Sequence, residues 1–279
     1  MATTTPPIRR QLIGTALRHY REAFGGTLSD AAAILRCDKS RITRIETGER
    51  GIRPGELRVL LEAYGAGEDD RETLVTMASP SGTAGWWSSH DVLSDADREY
   101  LSLEALSVQA LHYSPLGIPE LLQAPAYAEA RNEADLGMAT TGTPSPVVEA
   151  ILARQDAILD GTRDLQAVIT EAALHQAVGR HEVMRQQAAH LTGLAEERRV
   201  DIHVLPFGAL AHPAPSIGAV SVLRFSATAG ISVAHVPGIT TGQFLTGKVA
   251  ARCARTFDQL RASALPHEES IAFLRSLGA

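Results

Sequence analysis

The stretch TLSDAAAILRCDKSRITRIETGERGIRPG, Thr27 to Gly55, decides how the chain is read. Thr27, followed three places on by Asp30, has the form of a capping box in which hydroxyl and carboxylate each close a free backbone N–H. A short helix therefore opens here. Its small residues Ala31, Ala32 and Ala33 allow another helix to lie close across it. It stops near Arg36 and Cys37, because Asp38 is a strong N-cap residue and Lys39 to Thr47 begins a new helical period with Ile42 and Ile45 inward. Two helices joined by so short a turn form a helix-turn-helix.

The second of these helices carries the chemistry. With Ile42 and Ile45 buried, Lys39, Ser40, Arg41, Thr43 and Arg44 fall on the outer face or at its N-terminal end, where such a helix meets a DNA major groove. Arg44 and Lys39 suit guanine O6 and N7, and Ser40 suits either base. The helix N-terminus, with Arg41 and Thr43, suits phosphate oxygens. Gly48 supplies the left-handed residue that ends the helix.

The segment DKSRITRIETGERGIRPGELRVLLEAY resembles the core of the Xre and Cro type of helix-turn-helix regulators, whose second helix commonly reads Ser-x-x-Ile-Ser-Arg-Ile-Glu-x-Gly before a Pro-led helix. Asp38 stands where that family usually has Ser or Thr, Ala31 where it usually has Leu, and Leu28 where a phosphate-touching Gln is frequent. The resemblance implies an all-α, five-helix, lambda-repressor-like domain. It also implies that Arg50 and Arg53, in the turn GERGIRPG, touch the DNA backbone.

Composition is compatible with this. The 279 residues are 44% hydrophobic, enough for a small domain plus a larger one. No apolar run approaches a membrane span, and MATTTPPIRR lacks a signal peptide's apolar core, so a cytoplasmic protein is expected. Cys37 and Cys253 read as small buried hydrophobes rather than a disulfide. The net charge of −6 divides unevenly: residues 1–65 hold 11 basic and 7 acidic side chains, and residues 66–279 hold 15 and 25. The basic part coincides with the motif, as an electrostatic footprint for DNA should.

In chain order, Ile8 to Phe24 has helical spacing, with Arg9, Arg10, Arg18 and Arg21 expected on its outer side and within reach of phosphate or solvent. Pro54 opens a helix to Tyr64, and a fifth is expected near Asp69 to Met77. SPSGTAG, residues 79–85, reads as a linker. This divides the chain into a DNA-binding domain, 1–80, and a regulatory domain, 81–279. Ala96 to His112 reads as one helix with a broad apolar side and Glu104 in its middle. Ser145 and Pro146 open another helix, which carries Arg154 and Gln155. Runs at 165–170, 199–206, 217–225 and 230–236 read as strands among helices, predicting an α+β domain with a mainly antiparallel sheet.

The segments YLSLEALSVQALHYSPLGIPELLQAPAYAEA, ARQDAIL, ITEAALHQAVG and VDIHVLPFGALAHP resemble, in that order, the C-terminal domain of the WhiJ-like, antitoxin-like transcriptional regulators of actinobacteria. Members usually have Pro-Gly-Leu-Leu-Gln where this chain has Pro119-Glu120-Leu121-Leu122-Gln123, and often Glu where it has His235. The resemblance implies a small co-encoded toxin-like protein as partner. Glu120, Gln123, Tyr127 and His235 are the candidate partner- or ligand-binding residues. A small-molecule pocket around Leu121 to Tyr127 is the rival expectation.

No chemistry beyond this is legible. No His-Glu-x-x-His, paired Cys, Gly-rich phosphate loop or Gly-x-Ser-x-Gly elbow occurs, so neither a metal, a cofactor nor a catalytic residue is expected. The reading is a DNA-binding transcriptional regulator, a repressor, not an enzyme. One short helix offers only a few base-reading side chains, so a homodimer on paired half-sites is expected.

Overall fold

A computed structural model describes residues 8–79, 85–136, 145–160, 163–226, 230–238 and 242–278. Most of the expected linker, 80–84, lies outside them. The chain opens with five helices, α1 (Ile8–Phe24), α2 (Leu28–Ile34), α3 (Lys39–Glu46), α4 (Pro54–Ala63) and α5 (Glu68–Ala78). Leu12, Leu17, Ile42, Ile45, Leu57, Leu60, Leu61 and Leu74 fill their common core. α1 crosses α3 closely at Gly14, where an added Cβ would lie 2.5 Å from the Ile45 carbonyl oxygen. Any side chain there would push the two backbones apart.

The second half is α+β. α6 (Asp95–Leu106) precedes β1 (Gln109–Ser114), which α7 (Pro125–Leu136) and α8 (Pro146–Ile158) connect to β2 (Asp164–Thr170). α9 (Glu171–His175) and α10 (His181–Glu196) lead on to β3 (Asp201–Leu205). The chain then crosses to the other side of β1 for β4 (Val220–Arg224), β5 (Ser232–Val236) and β6 (Gln243–Thr246), and ends with α11 (Gly247–Ser263) and α12 (His267–Gly278). The sheet order is β3-β2-β1-β4-β5-β6. β1–β2 and β2–β3 are parallel, and the remaining three pairings are antiparallel, so the sheet is mixed with an antiparallel majority.

α11 lies against one sheet face, packing Ala250, Ala254, Phe257 and Leu260 on Leu111, Tyr113, Val222 and Ala234. Ala110, Ala167, Ile169, Ile202 and Val233 join the larger core on the other face. The outer edge of β3 is closed, since Leu265 N–H donates to the Val204 carbonyl at 2.8 Å and Val204 N–H donates to Ser270 Oγ at 3.0 Å.

One expectation fails here. Ala96 to His112 is not one helix: α6 ends at Leu106, Ser107 Oγ donates back to the Glu104 carbonyl at 2.7 Å, and 109–114 is the strand between β2 and β4. A strand covered on both faces is buried at successive positions, here Ala110 to Tyr113, and so lacks the apolar-polar alternation that marks a strand. β6, with the sequence QFLT, has no Val or Ile run and was not expected.

The bundle and the sheet domain touch. Arg9 of α1 is buried, with Nε donating to Glu99 at 2.9 Å and Nη2 to Ser102, both on α6. Ser226, just after β4, donates to Asp70 of α5 at 2.8 Å, and Thr246 donates to Gln11 of α1 at 3.4 Å. Among the described residues, no helix is long and apolar enough to cross a membrane.

Candidate nucleic-acid interface

The expected capping box is present at α2. Asp30 N–H donates to Thr27 Oγ1 at 3.3 Å, and the Asp30 carboxylate accepts from Thr27 N–H at 2.8 Å. The Thr27 hydroxyl also donates to that carboxylate at 2.7 Å, and this bond together with that from Thr27 N–H holds the Asp30 carboxyl below its ordinary range. The helix ends with Cys37 N–H on the Ala32 carbonyl at 2.9 Å and Arg36 N–H on the Ala33 carbonyl at 3.2 Å, the Schellman pattern. Its left-handed position is filled by Arg36 at φ 51°, where glycine would be unstrained. Asp38 has the extended backbone of an N-cap, but its carboxylate makes no capping hydrogen bond.

α3 is held from behind by Ile42 and Ile45, 2% and 1% exposed. Burying each is worth about 1.5–3 kcal/mol relative to exposure. Its last residue, Glu46, forms a buried bidentate pair with Arg21 of α1, at 2.6 Å to Nε and 2.8 Å to Nη2. That hydrogen-bonded carboxylate raises the Arg21 pKa. Gly48, at φ 74°, ends the helix as expected and packs on Gln11. Arg21 and Arg9 are thus structural. The sequence places both on a solvent or phosphate face, but each is drawn inward by an acid remote in sequence, and only Arg10 and Arg18 of that set are exposed.

The outer face of α3 is open. Lys39, Ser40, Thr43 and Arg44 are all exposed, and none is covered by the second domain. Thr43 Oγ1 donates to the Lys39 carbonyl at 3.1 Å and Arg44 Nε to the Ser40 carbonyl at 3.4 Å, while Arg44 as a whole stays exposed. Arg41 differs. Its Nη2 donates to both carboxylate oxygens of Glu56 on α4, at 2.8 and 2.7 Å, and this pairing raises Arg41 and lowers Glu56. Arg50 and Arg53 are exposed and, with Arg41, Ile52 and Glu56, line an open cleft of about 550 Å³ beside the helix. Three guanidinium groups against one carboxylate give that cleft a net positive lining, which suits an anion.

The candidate residues of the second domain do not form one surface. Gln123 and Tyr127 are core residues. Gln123 Nε2 donates to the Ile118 carbonyl at 2.8 Å, and burial pushes the Tyr127 hydroxyl pKa upward. Glu120 is exposed and reaches Arg154 at 3.4 Å. His235 is half-buried between the rings of Tyr100 and Phe244, at 4.8 and 5.0 Å between centroids, and burial lowers its pKa.

The polar feature of this domain that the sequence leaves unread is Arg154. Its Nε and Nη2 donate to Glu104 at 2.8 and 2.7 Å, and its guanidinium lies 5.2 Å from the centroid of the Tyr100 ring. Burial pushes the Glu104 carboxyl up, but the charge and hydrogen bonds of Arg154 outweigh it and the carboxyl is lowered. His112 on β1 shares this interior. Its Nδ1 lies 3.0 Å from Ser221 Oγ, and burial holds it down to about 4. The one sequence signal was Glu104 within an apolar helix face, since such an acid requires a partner.

The fold and the open basic face of α3 define a helix-turn-helix DNA-binding regulator. Comparison with known families agrees, because residues 12–74 match a helix-turn-helix domain and residues 97–276 match the family described as a domain of unknown function, DUF5753. The second match spans more than half of the chain, and the protein belongs to that family. No curated protein and no solved structure matches the chain.

Proposed function

We propose that the protein is a sequence-specific transcriptional repressor of the cytoplasm. In this reading Lys39, Ser40 and Arg44 meet base edges in a major groove, and Arg41, Thr43, Arg50 and Arg53 hold flanking phosphates. The observation that carries it is an exposed donor face on α3, fixed from behind by Ile42 and Ile45 and left uncovered by the second domain. Three side chains on one short helix read only a few base pairs, so the active form is a homodimer on two half-sites. The second domain controls binding through a protein partner, and the resemblance to WhiJ-like regulators points to a small co-encoded, toxin-like protein. No catalytic group, metal or cofactor takes part.

Selection from a random duplex pool at fixed salt tests this. The expected product is a palindromic site with half-site centres about 10 base pairs apart, bound by a species that sediments as a dimer. Recovery of unselected sequence would overturn it.

A second reading has its own observation. Ile118, Leu174, His175, Met184, Gln187 and Leu277 line a cleft of about 340 Å³, within the range of small-molecule sites. It adjoins the buried 121–127 segment, since Gln187 accepts from Ala124 N–H at 2.7 Å and donates to the Leu122 carbonyl at 2.7 Å. A metabolite bound there would shift both melting temperature and operator affinity, since coupling is reciprocal.

A further inference from the structure

The second domain is acidic, but α11 is not. It carries Lys248, Arg252, Arg255 and Arg261 against the single acid Asp258. Its inner face, Ala250, Ala254, Phe257 and Leu260, is buried on the sheet. Lys248, Arg252 and Arg255 recur at i, i+4 and i+7 on the outer face, and all three are exposed. None of them has an ion pair or hydrogen bond among the described residues. Asp258 does not neutralise them, because it faces Arg224 at 3.9 Å. Arg261 is bonded to Gln166 at 3.3 Å.

Helix energetics disfavours this arrangement. Lys248–Arg252 and Arg252–Arg255 are like-charge neighbours on one helix face, and each such pair is destabilising. Lys248 also sits in the first turn, where the helix dipole opposes a cation. An anionic partner along this face removes both penalties.

The position of α11 identifies the anion. The helix starts directly after Thr246, whose hydroxyl donates to Gln11 at 3.4 Å. Gln11 in turn packs beneath Gly48 at the end of the recognition helix, and its neighbour Arg10 is exposed and lines a cleft together with Arg50. The basic stripe therefore begins at the rim of the proposed DNA site. From Lys248 to Arg255 the axial rise is about 10 Å, close to three phosphate steps on one strand at about 3.4 Å of duplex axis each.

We propose that Lys248, Arg252 and Arg255 on the outer face of α11 form a second DNA-contacting surface, which grips the phosphate backbone flanking the sequence read by α3. The inference rests on the DNA-binding reading above and assigns the second domain a direct part in it. These are phosphate contacts, so they set affinity and orientation and leave base preference unchanged.

The test uses the full-length protein with Lys248, Arg252 and Arg255 all replaced by Gln, substitutions that keep helix propensity at exposed positions. Salt dependence of binding is measured on the selected duplex and on the same duplex trimmed of its flanks. The variant is expected to melt at or slightly above the parent's temperature, since the like-charge pairs are gone, and to keep its base preference. Its slope of log K against log salt should be shallower by about 2–3, with affinity about 10- to 100-fold weaker at moderate salt. Trimming the flanks should weaken the parent and leave the variant unaffected. An unchanged slope and affinity would overturn the proposal and assign the stripe to another acidic partner. Failure of the parent to select any sequence would instead sink the reading of α3.

Discussion

The two domains use arginine in opposite ways. Arg44, Arg50 and Arg53 of the bundle stand at the surface with unbonded donors, whereas Arg154 of the second domain is buried against Glu104 and Tyr100. An exposed guanidinium stays solvated until a ligand arrives, so it contributes to binding and little to folding. A buried one must be paired in the folded state, so its partner is fixed and its removal is felt in stability. Arg21 shows that this division follows burial rather than domain, since its pair with Glu46 is also buried.

The largest effect expected from this contrast is on folding. Glu104→Ala leaves Arg154 charged and enclosed, and should destabilise by about 3–5 kcal/mol in urea unfolding. Replacing the pair together, Glu104→Leu with Arg154→Met, should recover most of that loss. Equal destabilisation by the single and double changes would show that the pair does not act as a unit.

His112 gives the next effect, through pH. Its folded value, about 4, lies below the ordinary 6.5, so across that window the unfolded chain binds a proton that the folded one refuses. Stability should therefore fall by about 3 kcal/mol on acidification from pH 7 to 4. The depressed Glu104 carboxyl acts in the same direction, because its contribution is complete above the unfolded pKa and is lost as pH falls through the folded one. His112→Gln should flatten the pH profile, and an unaltered profile would remove His112 from the account.

The smallest effect concerns the turn before the recognition helix. Arg36→Gly relieves a left-handed backbone at φ 51° and should raise stability by about 0.5–1 kcal/mol without changing DNA affinity. A drop in melting temperature would mean that the Arg36 side chain contributes more than its backbone costs.

The contrast also separates what was legible in the sequence from what was not. Capping, turn and period at 27–55 are local properties, and Thr27, Asp30, Ile42, Ile45 and Gly48 each take the place that their chemistry assigns. The pairings of Arg9 with Glu99, Arg21 with Glu46 and Arg41 with Glu56 join residues 15 or more positions apart, and no local rule announces them. The strand at 109–114 was hidden for a different reason, since burial on both faces erases the alternation that distinguishes strand from helix. Gln123 and Tyr127 are candidates through the resemblance and the expected pocket at 121–127, and only packing shows that both are enclosed.

The central claim is that the exposed tips of α3 read sequence. Its most direct test compares parent and Arg44→Ala proteins on the selected site and on a panel of single-base variants at one stated salt concentration. The account predicts that Arg44→Ala loses about 1–3 kcal/mol of discrimination at one base position, with the other positions retained. Identical affinity and identical preference at every position would contradict it.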